Sequence, residues 1–77
     1  MTKQIAQQII TFGGHTLESY MKYLISFGTA MHMMQSYLQC LLDMEIINAE
    51  EKRSIYFKWF RHLKRCQKQL ELEELFN

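Results

Sequence analysis

The chain has no proline, three glycines and two cysteines among its 77 residues. Sandwich and barrel folds need turn residues far more often than this, so the composition excludes them. Because helix breakers are rare and 48% of the residues are apolar, we predict an all-α fold with a packed core. The length allows one domain, residues 1–77, and a monomer of this size buries only about 60% of the surface that its unfolded chain exposes. We therefore expect a small helical bundle that is completed by dimerisation.

Long apolar runs are also missing. Residues 1–12 lack the continuous apolar stretch of a signal peptide, and the most apolar window, residues 23–42, is interrupted by polar side chains that include His32, Gln35, Ser36 and Gln39. A membrane-spanning helix needs about 20 nearly unbroken apolar residues. We therefore expect no membrane partner and a cytoplasmic location, which is the host cytoplasm if the protein is encoded by a phage or plasmid.

The two cysteines are predicted to be free thiols. If the chain turns back on itself near Ile47, Cys66 lies roughly 12 residues, or about 18 Å, beyond the level of Cys40. A disulfide requires Cα atoms closer than about 7 Å. An intrachain bridge is therefore excluded by this register, and a reducing compartment is expected.

Three helical segments are predicted. The first is a short helix over residues 2–12 that ends at Gly13 and Gly14, because a glycine just past a helix can adopt the left-handed conformation that closes its last turn. The second is a long helix over residues 16–46 with Thr16 as its N-cap. Its apolar residues follow the 3-4 spacing of a helix packed lengthwise on another one, namely Leu17, Tyr20, Leu24, Phe27, Met31, Met34, Leu38 and Leu41.

The third predicted helix covers residues 49–70. Asn48 and Glu51 have the spacing of a capping box, in which each side chain bonds the backbone N–H of the other residue. The short link between the second and third helices makes them an antiparallel helical hairpin. The apolar arc of the second helix is nevertheless wider than one facing helix covers. We therefore assign the excess, Met33, Tyr37 and Met44, to a surface that contacts a second subunit or another partner.

One stretch of the third helix is strongly basic. Residues 52–68 hold seven lysines and arginines and no acidic residue; since the net charge of the chain is +1, the remainder carries −6. At 100° per residue most of these cations share one side of the helix with Phe57, opposite Trp59 and Leu63. We predict that this side binds a partner or nucleic acid through Arg53, Phe57, Lys58, Arg61, Lys64, Arg65 and Lys68.

A solvated surface is the simpler interpretation of this side, since lysine and arginine are good helix formers. Solvated surfaces normally intersperse both signs of charge, however, and here no acidic residue lies among the cations. This favours an acidic ligand, which is either a phosphate backbone or a carboxylate-rich protein surface. A membrane surface would also suit a basic amphipathic helix, but the opposite, apolar side is committed to the second helix.

The segment after the basic run, residues 71–77, is acidic and apolar. As a continued helix it would place its apolar residues on the basic side, and acidic residues at a helix C-terminus are unfavourable to the helix dipole. We therefore predict that the helix ends at Leu70 and that residues 71–77 form a separate tail. We assign Leu72, Leu75 and Phe76 to the surface that contacts a second subunit or a partner, with an inert, frayed terminus as the alternative.

The sequence contains no pattern typical of an enzyme. A phosphate-binding glycine loop, a carboxylate pair and a nucleophile–base pair are all missing. His62 and Cys66 lie one turn apart, and the hairpin brings His32 to their level, but a structural zinc site needs four ligands. We therefore expect no catalytic residue, no metal, no cofactor and no small-molecule substrate.

These features predict a non-enzymatic regulatory or inhibitory protein that binds another macromolecule. Its size and single charged face are compatible with small proteins of phages and plasmids. The favoured partner is an acidic protein surface, including that of a nucleic-acid-handling complex, because the chain as a whole is not basic. The alternative is a homodimer that contacts the phosphate backbone of DNA or RNA with residues 52–68. Because part of this helix is committed to the core, it is not free to enter a groove and read bases.

Overall fold

The computed structural model describes residues 1–76, which form three α-helices: α1 (Lys3–Met21), α2 (Phe27–Asp43) and α3 (Ala49–Phe76). Each helix contacts the other two, and the bundle is about 45 Å long and 20 Å wide. The all-α prediction is confirmed. Side-chain contacts join Gln39 to Lys52 at one end of the α2–α3 pair and Phe27 to Lys64 further along, so these two helices run in opposite directions.

The core is a column of apolar side chains along the bundle axis. Aromatic rings connect all three helices, since Phe12 of α1 stacks on Tyr37 of α2 with ring centroids 4.0 Å apart, and Trp59 of α3 lies 5.9 Å from Phe12. Burial of such side chains contributes about 1.5–3 kcal/mol each. The buried apolar residues are Ile9, Tyr20, Ala30, Met34, Leu38, Ile47, Trp59, Leu63 and Leu70.

The predicted helix end at Gly13 and Gly14 is wrong, because α1 runs through both glycines to Met21. Gly13 is buried, and a Cβ at this position would lie 2.6 Å from Cε2 of Trp59. The glycine therefore serves close packing between α1 and α3 and does not terminate the helix. Thr16 is likewise no N-cap: it is buried within α1, and its hydroxyl donates a hydrogen bond of 2.9 Å to the carbonyl of Phe12.

The predicted long helix over residues 16–46 is also wrong, because residues 22–26 interrupt it. Both α1 and α2 have core-facing apolar residues at helical spacing. The two patterns happen to be in register across the break, so the sequence shows one continuous 3-4 spacing. The side chain of Ser26 caps α2 by accepting a hydrogen bond of 3.1 Å from the backbone N–H of Thr29. A serine three residues before a threonine is therefore the signal of the second helix start that the periodicity concealed.

Two five-residue connections of the same design, residues 22–26 and 44–48, join the helices. The first residue beyond the C-cap, Tyr23 or Glu45, has a left-handed φ of 62° or 59°. The N–H of this residue and that of the next one bond carbonyl groups in the last turn of the helix at 2.9 or 3.0 Å. This pair of bonds is the Schellman closure, which reverses the chain after a helix and is usually made with glycine.

The start of α3 agrees with the sequence analysis, whereas its end does not. The backbone N–H of Asn48 donates to Glu51 Oε1 at 3.0 Å, and that of Glu51 donates to Asn48 Oδ1 at 2.8 Å, which confirms the capping box. The helix does not end at Leu70 but continues to Phe76. Glutamate and leucine are strong helix formers, and their propensity outweighs the unfavourable charge at the helix end. The tail predicted at residues 71–77 is therefore helical over 71–76; Asn77 lies outside the described residues.

Candidate interaction surface

Helix α3 divides into an inner and an outer side. Trp59, Leu63 and Leu70 are buried against α1 and α2, as the sequence analysis predicted. At 100° per residue the opposite side of the helix faces solvent along its whole length, about 35 Å between residues 53 and 76. We call this side the outer strip; its members are Arg53, Phe57, Lys58, Arg61, Lys64, Arg65, Lys68, Leu72, Leu75 and Phe76, all of them exposed.

The cations of the outer strip have no acidic partner within the part of the chain that the structure describes. There the sole salt bridge joins Lys22 to Glu18 of α1, at 2.7 Å. Lys64 donates a hydrogen bond of 3.3 Å to Gln67, a neutral side chain. Lys52, the seventh base of the run, is half-buried and donates to Gln39 of α2. Six positive charges of the strip are therefore available to an external acidic group.

Phe57 stands among these cations with 62% of its surface exposed. The guanidinium carbon of Arg61 lies 5.8 Å from the centroid of its ring, within the range of a cation–π contact. The two side chains line a shallow hollow together with Glu50, Arg53, Ser54 and Lys58. This arrangement gives the basic part of the strip an apolar anchor that is already held in place by its neighbour.

The continuation of α3 to Phe76 adds apolar side chains to the same strip. Leu72, Leu75 and Phe76 are 46%, 78% and 85% exposed. They follow Lys68 by one to two turns and share its side of the helix. The structure thus brings together two sets of predicted site residues, the basic set and the apolar set of the tail, on one continuous surface.

The other predicted apolar residues lie on α2 or at its C-cap, Met44. Tyr37 is half-buried and stacks on Phe12, so part of its surface is accounted for by packing within the chain. Met44 is 60% exposed and contacts Cys40, whose Sγ lies 3.7 Å from its Sδ. Met33 is half-buried but lies outside the group of side chains packed against the core. The prediction that Leu24 packs in the seam of the second helix is wrong, because the break at residues 22–26 leaves it 71% exposed. Sequence reasoning missed its neighbour Tyr23, which is also exposed near the C-terminal end of α3.

A surface groove with a volume of about 880 Å³ lies between α2 and α3. It contains His32, Ser36, Cys40, Asp43 and Tyr56. His32 Nε2 and Ser36 Oγ are 3.4 Å apart on the exposed side of α2. Within residues 1–76, no three or more histidine, cysteine, aspartate or glutamate side chains converge as metal ligands.

Three side chains outside the outer strip have shifted pKa values. Burial, reinforced by the nearby Glu71, raises the pKa of Tyr20. Burial also raises the pKa of the Cys66 thiol. The hydrogen bond and the positive charge of Lys22 lower the pKa of Glu18. Cys40 and Cys66 are both free thiols, the first exposed and the second half-buried.

Comparison with known proteins identifies no relative. No family model, no curated protein and no solved structure matches the chain. No helix within residues 1–76 is long and apolar enough to cross a membrane. The chemistry of the surface itself therefore carries the functional argument.

Proposed function

We propose that the protein is a non-enzymatic regulator or inhibitor that binds an acidic protein surface through the outer strip of α3. The observation that carries this proposal is the composition of the strip: cations without acidic partners lie between Phe57 at one end and Leu72, Leu75 and Phe76 at the other. Exposed apolar side chains beside unpaired charges are typical of a surface that is covered by a partner.

The apolar members of the strip favour a protein over nucleic acid. A phosphate backbone is bound by charge and by hydrogen bonds, so it offers no apolar pocket for Leu75 or Phe76. Acidic residues also lie at both ends of α3: Glu50 and Glu51 precede the cations, and Glu71, Glu73 and Glu74 follow them. These acids would repel a long polyanion but allow a short acidic patch on a protein, including one that itself handles nucleic acid.

Direct binding of DNA or RNA by a homodimer is the second candidate. It is favoured by the absence of ion pairs to the strip cations within the described residues. The basic run from Lys52 to Lys68 is about 24 Å long, enough to contact several phosphates of one strand. Two such runs on one dimer would add their contacts.

A comparison of charge-reversal variants tests the proposal. Arg61→Glu, alone or together with Arg65→Glu, reverses strip cations, and Lys3→Glu is the control outside the strip; Arg61→Glu and Lys3→Glu each change the net charge from +1 to −1. Each variant is used as bait in a nuclease-treated lysate of the cells that produce the protein. We expect the wild-type chain and the control to capture the same acidic protein and the strip variant to lose it.

Variants of the apolar residues at the C-terminal end of the outer strip distinguish a protein partner from nucleic acid. We expect Leu75→Ser/Phe76→Ser to weaken capture of the protein partner at least about tenfold, since apolar anchors supply much of the affinity at interfaces. Binding to duplex or single strands would be insensitive to this change and would fall steeply with salt. If nuclease abolishes capture and Leu75→Ser/Phe76→Ser has no effect, the nucleic-acid candidate replaces the protein one.

A further inference from the structure

The α1–α2 side of the bundle is almost free of charge. The chain has 17 charged residues, nine basic and eight acidic, yet residues 4–42 include only Glu18 and Lys22. These two side chains pair with each other at 2.7 Å, so the whole stretch has no net charge. The other 15 charged residues are Lys3 and those of residues 43–76, most of them on α3. The molecule therefore has one charged side and one uncharged side.

A groove with an apolar floor runs along the uncharged side between α1 and α2. Its floor contains the stacked rings of Phe12 and Tyr37, and its rim is made by polar side chains of α1, namely His15, Thr11 and three glutamines that include Gln4 and Gln8. A glutamine amide both donates and accepts hydrogen bonds. A glutamine rim can therefore bond an identical rim, whereas a lysine rim cannot.

The size of the α1–α2 side is of the order that a small dimer interface needs. Two helices side by side are about 20 Å wide, and α2 is about 26 Å long. The α1–α2 side thus has a flat projected area of about 500 Å². Its accessible surface is larger because side chains project from it, and standard interfaces bury about 800 Å² of accessible surface on each partner.

We propose that a second copy of this chain docks on the α1–α2 side and forms a two-fold symmetric dimer. In such a dimer each residue near the axis meets its own copy, so a surface with several charges of one sign repels itself. The outer strip, with six exposed cations, is excluded from this role for that reason. The uncharged side can meet itself without that cost, and interface centres are generally depleted of charged residues.

This arrangement places the two outer strips on opposite sides of the dimer. Each strip keeps its full exposure, and the cations of the two copies stay as far apart as the fold allows. Met33 and Tyr37 lie one turn apart on the same stripe of α2, and Met44 is the C-cap that follows this helix. Tyr37 lines the groove, so the interface takes in the predicted apolar residues of α2.

One added charge at the groove rim tests the proposal. Gln8→Lys places a cation beside the Phe12–Tyr37 floor, and Gln69→Lys makes the same change on an exposed glutamine of α3. Sedimentation of the full chain over a range of concentrations measures the dimer dissociation constant. We expect Gln8→Lys to raise it about tenfold or more, because two unpaired charges are brought together in the interface. Gln69→Lys is expected to leave it within about twofold of wild type.

Salt dependence distinguishes this interface from the outer strip. Between about 0.05 and 0.5 M salt, we expect the dimer constant to change by less than about threefold, because no formal charge is neutralised on association. Arg61→Glu/Arg65→Glu, which tests partner binding, is expected to leave the dimer intact. A single species of 9.3 kDa at all concentrations, or equal weakening by both glutamine variants, would overturn the proposal without affecting the one for the outer strip.

Discussion

The inner and outer sides of α3 both carry large apolar residues, but these residues are buried on the inner side and exposed on the outer side. On the inner side, Leu63 is completely buried and Trp59 is 7% exposed. On the outer side, Phe57 is an equally large apolar residue with 62% of its surface in solvent. Size and hydrophobicity are therefore not what distinguishes a core residue from an exposed residue of the outer strip. The distinction lies in whether the other two helices or only solvent cover the side chain, so stability and binding can be altered separately.

The largest difference in the free energy of unfolding is expected between Leu63→Ala and Phe57→Ala. Truncation of the fully buried Leu63 removes packing from all sides and leaves a cavity, which lowers the free energy of unfolding by about 2–5 kcal/mol. Truncation of Phe57 is expected to change it by less than about 0.5 kcal/mol. Chemical denaturation of both variants measures the difference. Similar losses in the two variants would mean that the outer side also contributes to the core.

The two neighbouring glycines of α1 extend the comparison to the helix that packs on Trp59. A Cβ on Gly13 would overlap the Trp59 ring, whereas a Cβ on Gly14 would have no neighbour within 4 Å. We expect Gly13→Ala to destabilise the fold by about 1–3 kcal/mol through overpacking. Gly14→Ala is expected to stabilise it by about 1 kcal/mol through helix propensity.

Each glycine variant serves as the control for the other, since both make the same chemical change in adjacent positions of one helix. Thermal unfolding should therefore shift in opposite directions for the two. If both variants stabilise the protein, the close approach of Trp59 to α1 is not a constraint on the fold.

The inner stripe of α3 and its capping box were predictable because both depend on local spacing. The apolar period of residues 56–70 identifies the buried side, and Asn48 and Glu51 are three residues apart. The role of Gly13 was not predictable in this way, because it depends on an indole ring that comes from a distant part of the chain. The break at residues 22–26 was missed for another reason: its left-handed residue is Tyr23, where a glycine is usual.

Tyr23 and Glu45 are exceptions to the comparison, since they are exposed and yet are expected to limit stability. Both adopt a left-handed φ, which costs a residue with a Cβ about 1 kcal/mol. We expect Tyr23→Gly and Glu45→Gly each to raise the free energy of unfolding by about 0.5–1 kcal/mol, because glycine adopts this conformation without steric penalty. Replacement by alanine, which keeps the Cβ, is the control and should give no such gain. Chemical denaturation of all four variants provides the measurement.

The smallest effect is expected for the two cysteines, whose alkylation rates directly compare an exposed position with a half-buried one. The thiolate is the reactive form of cysteine; Cys40 is exposed, whereas burial raises the pKa of the half-buried Cys66. In folded protein at low concentration, we expect an alkylating reagent to modify Cys40 about tenfold faster than Cys66 at neutral pH.

Unfolding in denaturant should make the two alkylation rates converge, and equal rates in the folded protein would contradict the burial of Cys66. The same shift in pKa has a consequence for stability, because the folded state holds the Cys66 proton more tightly than the unfolded state does. Its contribution is fully present below the ordinary thiol pKa of 9.0 and is lost as the pH rises through the higher value of the folded state. The free energy of unfolding should therefore decline above about pH 9, and Cys66→Ala should make that decline shallower, whereas Cys40→Ala should not.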